Sequence, residues 1–152
     1  MASLRHVTDP KEAQALAPPL DRHAEQAMAE FRDHPLPRGV VRRFLEESFG
    51  ASETVLLVAE SKTGAADLGV CLVGPFVDPL LGTRLPMVLI LYVDEAARHR
   101  GLGRALVEEA GRILEARGLF RLAARAGHND DALISMGERF GFVRQWDLML
   151  RE

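Results

Sequence analysis

The order of apolar and polar positions divides the chain into short apolar runs and longer stretches of helical spacing. Residues 4–7 have the length of a first strand. Asp9-Pro10 then opens a helix with proline at its first position, where a missing N–H costs least, and Pro18-Pro19 is expected to interrupt it. A second helical piece, residues 21–31, gives way at Asp33-His34-Pro35-Leu36-Pro37 to a loop. Residues 40–49 again have helical spacing, which ends at Gly50. Residues 54–59 (TVLLVA) predict a strand, Lys62-Thr63-Gly64 a turn, and residues 68–73 (LGVCLV) its hairpin partner. Residues 74–83 hold two prolines and two glycines and are expected to form an irregular loop that lines a ligand site.

Residues 87–93 (MVLILYV) are an unbroken apolar run, which suits a fourth, central strand buried on both faces. A helix follows, with Leu102, Leu106, Ala110, Ile113 and Leu114 on one face and Arg104, Glu108, Arg112 and Glu115 on the other. Gly118 is placed to stop it. Residues 119–123 predict a fifth strand, Asn129-Asp130 can cap a helix running to about Phe140, Gly141 closes it, and residues 142–150 predict a last strand. This order predicts a mixed α/β sandwich rather than a doubly wound sheet. With 152 residues and no internal repeat or linker, a single domain over 1–152 is expected.

Composition narrows the function classes. The chain is 47% hydrophobic, enough for a core, and its net charge of -3 gives no support to a nucleic-acid footprint. Seventeen of its nineteen basic residues are arginine, which fits an anionic ligand and equally fits a base-composition bias. The single cysteine, Cys71, excludes an internal disulfide and any CxxC site. Residues 1–20 include Asp9, Lys11 and Glu12 and no continuous apolar segment, and no run approaches the roughly 18 apolar residues of a membrane span. A cytoplasmic protein with no membrane role is expected. His6, His23, His34 and His99 show no metal-ligand spacing, so no metal site is expected either.

Chemistry concentrates between the fourth strand and the helix that follows, at Val93-Asp94-Glu95-Ala96-Ala97-Arg98-His99-Arg100-Gly101-Leu102-Gly103-Arg104. Two glycines at a helix start let backbone approach a ligand, the free amides point outward, and the helix dipole favours negative charge. The plainer reading is a tight strand-to-helix turn with solvated arginines. A dinucleotide fingerprint would need a third glycine where Leu106 stands, and a P-loop would need Gly-Lys followed by Ser or Thr. Both fail.

Arg98 to Gly103 (RHRGLG) resembles the Arg/Gln-x-x-Gly-x-Gly/Ala signature of the GCN5-related N-acetyltransferase (GNAT) family. Val93, five residues before the arginine, and Ala105-Leu106 in the following helix stand where that family's pattern has them, as do Asn129 and Ala132 at the start of the next helix and Gly141-Phe142 at its end. The resemblance covers residues 56–150. It implies a mostly antiparallel central sheet with helices on both faces, splayed between the fourth and fifth strands to admit acetyl-CoA. The pyrophosphate would rest on the turn formed by Arg98, His99, Arg100, Gly101, Leu102, Gly103 and Arg104. The pantetheine amides would pair with backbone near Leu91 and Val93, and a main-chain N–H close to Val93 would polarise the acetyl carbonyl. Asn129 would reach the pantetheine or a water on it, or serve only as a helix cap.

The resemblance further implies transfer of acetyl to a primary amine of a small molecule or peptide by direct attack in a ternary complex, and it allows a homodimer. In the histone-acetylating branch a Glu on the buried strand acts as base; that position here is Met87, a departure. Tyr92, Glu95 and His128 are the substitutes within reach. The acid that protonates the leaving thiolate is usually a tyrosine one turn before Gly-Phe, a position that falls on Met136 or Gly137, which leaves Tyr92 and Ser135 as hydroxyl candidates. The missing base and acid keep two rivals open, an acyl-CoA-binding sensor with little or no turnover and a subunit whose site a partner completes. The acceptor-shaping regions carry no family letters, so nothing names the amine.

Overall fold

The computed structural model describes residues 2–31, 37–62, 64–125, 131–144 and 151. Strands β1 (Ser3–Val7), β2 (Val55–Ser61), β3 (Gly64–Val77), β4 (Arg84–Val93) and β5 (Ala123–Ala124) form one sheet in the order β1-β2-β3-β4-β5. The first three pairings are antiparallel and β4–β5 is parallel. Helices α1 (Pro10–Ala15), α2 (Ala17–Phe31) and α3 (Val40–Ser48) precede β2, α4 (Leu102–Ala116) crosses from β4 to β5, and α5 (Asp131–Arg139) follows. The mixed α/β sheet with helices on both faces is thus as expected.

Period-two alternation divides the core. Leu56 and Val58 of β2 and Val70 and Leu72 of β3 face Ala13, Leu16, Leu20, Val41 and Leu45 of the N-terminal helices. Val55, Leu57, Ala59, Cys71 and Val73 face Leu106, Ala110 and Leu114 of α4. Leu106 is fully buried, and truncating it to alanine should cost about 2–5 kcal/mol.

Four boundaries differ from the sequence reading, each for a local reason. The helix break falls at Leu16, ahead of Pro18-Pro19, because prolines fit the first turn of α2, where their missing N–H groups have no intrahelical acceptor. Residues 74–83 are mostly not a loop: β3 runs to Val77 and β4 starts at Arg84, with Pro75 opposite Pro86. A Cβ on Gly74 would collide with Phe44 and Leu89, so glycine there permits close packing of α3 on the hairpin. Only residues 78–83 turn, held by Asp78, whose Oδ1 accepts from the N–H groups of Leu80 at 2.9 Å and Leu81 at 2.8 Å.

The fifth strand is later and shorter than residues 119–123. Gly118 has φ 80°, and the N–H of Leu119 bonds the Leu114 carbonyl at 2.9 Å, so this residue completes the C-terminal cap of α4 and is not free to pair as a strand. Of the last expected strand, residues 142–144 are loop and 145–150 lie outside the described residues, as does the expected cap at Asn129-Asp130.

Candidate active site

Two features of β4 shape its C-terminal half. Leu72 pairs with Ile90 and Val73 with Val88, so Leu89 is an extra residue, a bulge. It reverses the alternation: Val88 and Leu91 pack toward α4, while Ile90 and Tyr92 pack toward the N-terminal helices. On the other edge, β4 meets β5 only at Met87–Ala123 and Val88–Ala124. Among the described residues, the β4 edge from Leu89 to Val93 therefore has no strand partner on the β5 side, and half-buried Leu91 and Val93 lie on it. This is the opening expected between the fourth and fifth strands.

The edge leads into the turn before α4. Asp94 caps a short 3₁₀ turn, Glu95–Ala97, through Oδ2 to the Ala96 N–H at 3.2 Å. Arg98 is extended, His99 has φ 64°, and Gly101 has φ 80° at the N-cap of α4, with no side chain capping the helix. A non-glycine residue in the left-handed region costs on the order of 1–2 kcal/mol, so the turn at His99 is held by its surroundings. The carbonyl of Gly101 accepts the first helical bond, from Ala105 at 3.0 Å. The N–H groups of Leu102, Gly103 and Arg104 have no acceptor within the helix and face outward with the positive end of its dipole.

The three arginines of the turn are not equivalent. Arg98 is half-buried; its Nε donates to the Val93 carbonyl at 2.9 Å, and its guanidinium carbon stands 5.8 Å from the centre of the Tyr92 ring. Arg104 pairs with Glu108 at 2.9 Å and lies 5.3 Å from the centre of the Phe140 ring. Arg100 is exposed, as are His99 and Glu95.

Gly103 serves neither conformation nor packing. It is helical, and a Cβ there would rest 3.6 Å from Met136 Sδ and 3.6 Å from Val93 Cγ2, ordinary contact distances. The space that the glycine leaves open lies between α4, Met136 of α5 and Val93 of β4.

The catalytic candidates are scattered. Met87 is 4% exposed, at the β4–β5 pairing. Tyr92 is half-buried and stacks on His23 of α2, with ring centroids 3.9 Å apart and planes 14° apart. Ser135 is exposed on α5, and the neighbouring Met136 is the residue that meets Gly103. His128 and Asn129 lie outside the described residues. His23 shows no metal-ligand spacing, and no local sequence signal links it to Tyr92. A cleft of about 150 Å³ between residues 83–86 and 118–121 lies at the opposite end of β4 from this turn.

The model of the acetyltransferase (GNAT) domain matches residues 52–144, more than half of the chain. The chain belongs to the GNAT family. No curated protein sequence matches it. Among solved structures, the fold of this GNAT protein is similar to that of a predicted acetyltransferase with acetyl-CoA from Clostridium acetobutylicum, with TM-score 0.75, 12% identity, and coverage of 100% of this chain and 96% of that one. It is also similar to the aminoglycoside N-acetyltransferase AAC(6')-Iy in complex with CoA (TM-score 0.72, 14% identity, coverage 100% and 94%). A third is the ribosomal-protein-alanine N-acetyltransferase from Brucella melitensis biovar Abortus 2308 (0.64, 16%, 100% and 99%). At these identities the likeness is one of fold. Among the described residues, no helix is long and apolar enough to cross a membrane, and no group of three His, Cys, Asp or Glu residues could hold a metal ion.

Proposed function

We propose that this GNAT protein is an N-acetyltransferase that moves acetyl from acetyl-CoA to a primary amine of a small molecule or peptide. The observation that carries the reading is the sequence of two donor sets, the β4 edge at Leu91 and Val93, which has no strand partner on the β5 side among the described residues, and the amides of Leu102 to Arg104, which have no acceptor within α4. The first suits the amides of a pantetheine arm and the second a diphosphate. Two of the fold neighbours were solved with acetyl-CoA or CoA. Asn129 is proposed to reach the same arm.

Direct attack by the amine is favoured over a covalent acetyl-enzyme. The only thiol, Cys71, is buried and its pKa is pushed up to about 12 by that burial, so it supplies no thiolate at neutral pH. A CoA thiolate leaves without full protonation, given a thiol pKa of about 8.5, so turnover is modest even if neither Tyr92 nor Ser135 protonates it. Neighbours named for aminoglycoside and for protein-alanine acetylation share this fold, so the fold does not select the acceptor. The reading also places the protein in the cytoplasm, with a second copy as its macromolecular partner.

One observation favours a second reading, an acyl-CoA sensor with little turnover: Met87 stands where the histone-acetylating branch of the family has its Glu base, and it is buried. Calorimetry with CoA and a thiol-release assay with pooled primary amines separate the two. Binding with amine-dependent thiol release supports the transferase, binding without release supports the sensor, and absence of binding overturns both.

A further inference from the structure

The catalytic candidates named from the sequence leave the attacking amine without a clear proton acceptor, and the structure places one beside Tyr92. Helix α2 lies on the β4 face that carries Ile90 and Tyr92, and from it His23 reaches the Tyr92 ring. Tyr92 stands between Leu91 and Val93, the two residues on the open edge, and the Arg98 guanidinium approaches the same ring from the turn. A stack with planes 14° apart aligns the imidazole with the tyrosine ring, so the in-plane lone pair of its nitrogen runs alongside that ring and not into it. His23 is half-buried, so the ring is both held and reachable.

We propose that His23 accepts the proton given up by the amine as it attacks the thioester, which makes it a catalytic residue of the reaction proposed above, on which this inference rests. The amine lone pair forms the C–N bond to the acetyl carbon. The C–S bond breaks, with its electron pair leaving on the CoA sulfur. The proton on nitrogen passes to a ring nitrogen of His23, and the thiolate is protonated by water. Atoms and charge balance without a metal or a further co-reactant.

The charge state fits the role. Burial holds the His23 pKa below the ordinary imidazole range; Arg22 on the same helix acts in the same direction, and Asp94 at the end of β4 opposes both. Arg98, beyond the Tyr92 ring, is a further positive group near the stack. That direction favours the neutral imidazole, the form a proton acceptor needs. The competing reading is a histidine that only packs α2 on the sheet.

Two measurements on the full chain decide between them. In the first, the His23 Cε1–H resonance is followed while saturating CoA or acetyl-CoA is added, with the amides of 101–104 reporting occupancy. Acetyl-CoA is expected to shift His23 more than CoA does, because only the acetyl group distinguishes them; equal shifts, or none, at full occupancy overturn the proposal.

In the second, kcat is measured against pH with spermidine, tryptamine and an alanine-initiated peptide. The wild type is expected to lose kcat through an ionisation below about pH 6.5. His23→Phe keeps the ring stack but cannot take a proton; it is expected to lower kcat by about 10²-fold or more, with the acetyl-CoA Kd and thermal midpoint unchanged. A His23→Phe variant with wild-type turnover overturns the proposal. Absence of wild-type turnover with every amine counts against the transferase reading, and the resonance measurement then still decides whether His23 meets the acyl end.

Discussion

Gly103 of α4 and Met136 of α5 face each other with room for one more carbon: a methyl group on the glycine would sit 3.6 Å from the methionine sulfur. Gly103→Ala should therefore fold normally, with stability unchanged or raised by about 0.5–1 kcal/mol, since alanine is the better helix former. Its acetyl-CoA affinity should fall, and Gly103→Glu should abolish binding with circular dichroism nearly unchanged. Thermal unfolding and calorimetry check the two halves separately. A Gly103→Glu protein that binds as tightly as the wild type would remove the turn from the donor site.

Gly101 gives the opposite pattern. It has open space around it, yet its φ of 80° is unfavourable for any side chain. Gly101→Ala should cost on the order of 1–2 kcal/mol of stability, read as a lowered denaturation midpoint.

Arg98 closes the turn through the Val93 carbonyl. Arg98→Ala should weaken acetyl-CoA binding by about 1–3 kcal/mol, the value of one charge-assisted contact. Arg98→Lys should recover little of it, because an ammonium has no guanidinium plane to lay against Tyr92 while bonding Val93. An unchanged Kd in Arg98→Ala would confine this residue to fold stability.

The carboxylate of Glu53 is 8% exposed and paired with Arg84 at the start of β4, with Nη2 to Oε2 at 3.0 Å. Hydrogen bonding to Arg84 holds its pKa below the ordinary carboxylate range, against the opposing effect of burial. A lowered folded-state pKa means that the stabilisation is fully present above the unfolded value, about 4.3, and is lost as pH falls through the folded one. The stability gap between wild type and Glu53→Gln should be constant above about pH 5 and close below pH 4. Thermal midpoints across that range check it; a gap that does not narrow would show that the pair does not titrate with unfolding.

Met136, facing Gly103, is the position on α5 from which a longer side chain would reach the turn before α4, whereas Gly137 faces Phe142. Met136→Tyr should therefore raise kcat by supplying a proton to the leaving thiolate, and Gly137→Tyr should not. Turnover numbers at saturating acetyl-CoA discriminate them.

The turn from Arg98 to Arg104 was legible because its glycines, arginines and helix start are contiguous, so spacing alone carries the geometry. The bulge at Leu89 was not, because residues 87–93 are apolar throughout and a reversal of faces leaves no mark in an unalternating run. Glycine and proline misled at residues 74–83: they signalled a loop, but Gly74 is there to admit Phe44, and Pro75 and Pro86 face each other across the hairpin. The prolines of α2 misled in the same way, since their meaning depends on whether they begin a helix or interrupt one. The His23–Tyr92 stack joins two elements far apart in sequence, and only tertiary packing brings them together.

The sheet order has a consequence for how the molecule assembles. Each strand lies beside its sequence neighbour, but the connections differ: β2, β3 and β4 are joined by short turns, whereas β5 reaches β4 only by a parallel crossover through α4. Loop-closure entropy makes the two hairpins the fast-forming part and the crossover a late event. With two residue pairs holding it among the described residues, the β5 side should also be the first to open, and its amides should exchange with solvent before those of β2 and β3. A ligand that bridges the β4 edge and the start of α4 would bind only chains in which α4 has docked on the sheet. Through mass action such a ligand would stabilise the closed molecule, so resistance to unfolding would rise with the ligand's concentration.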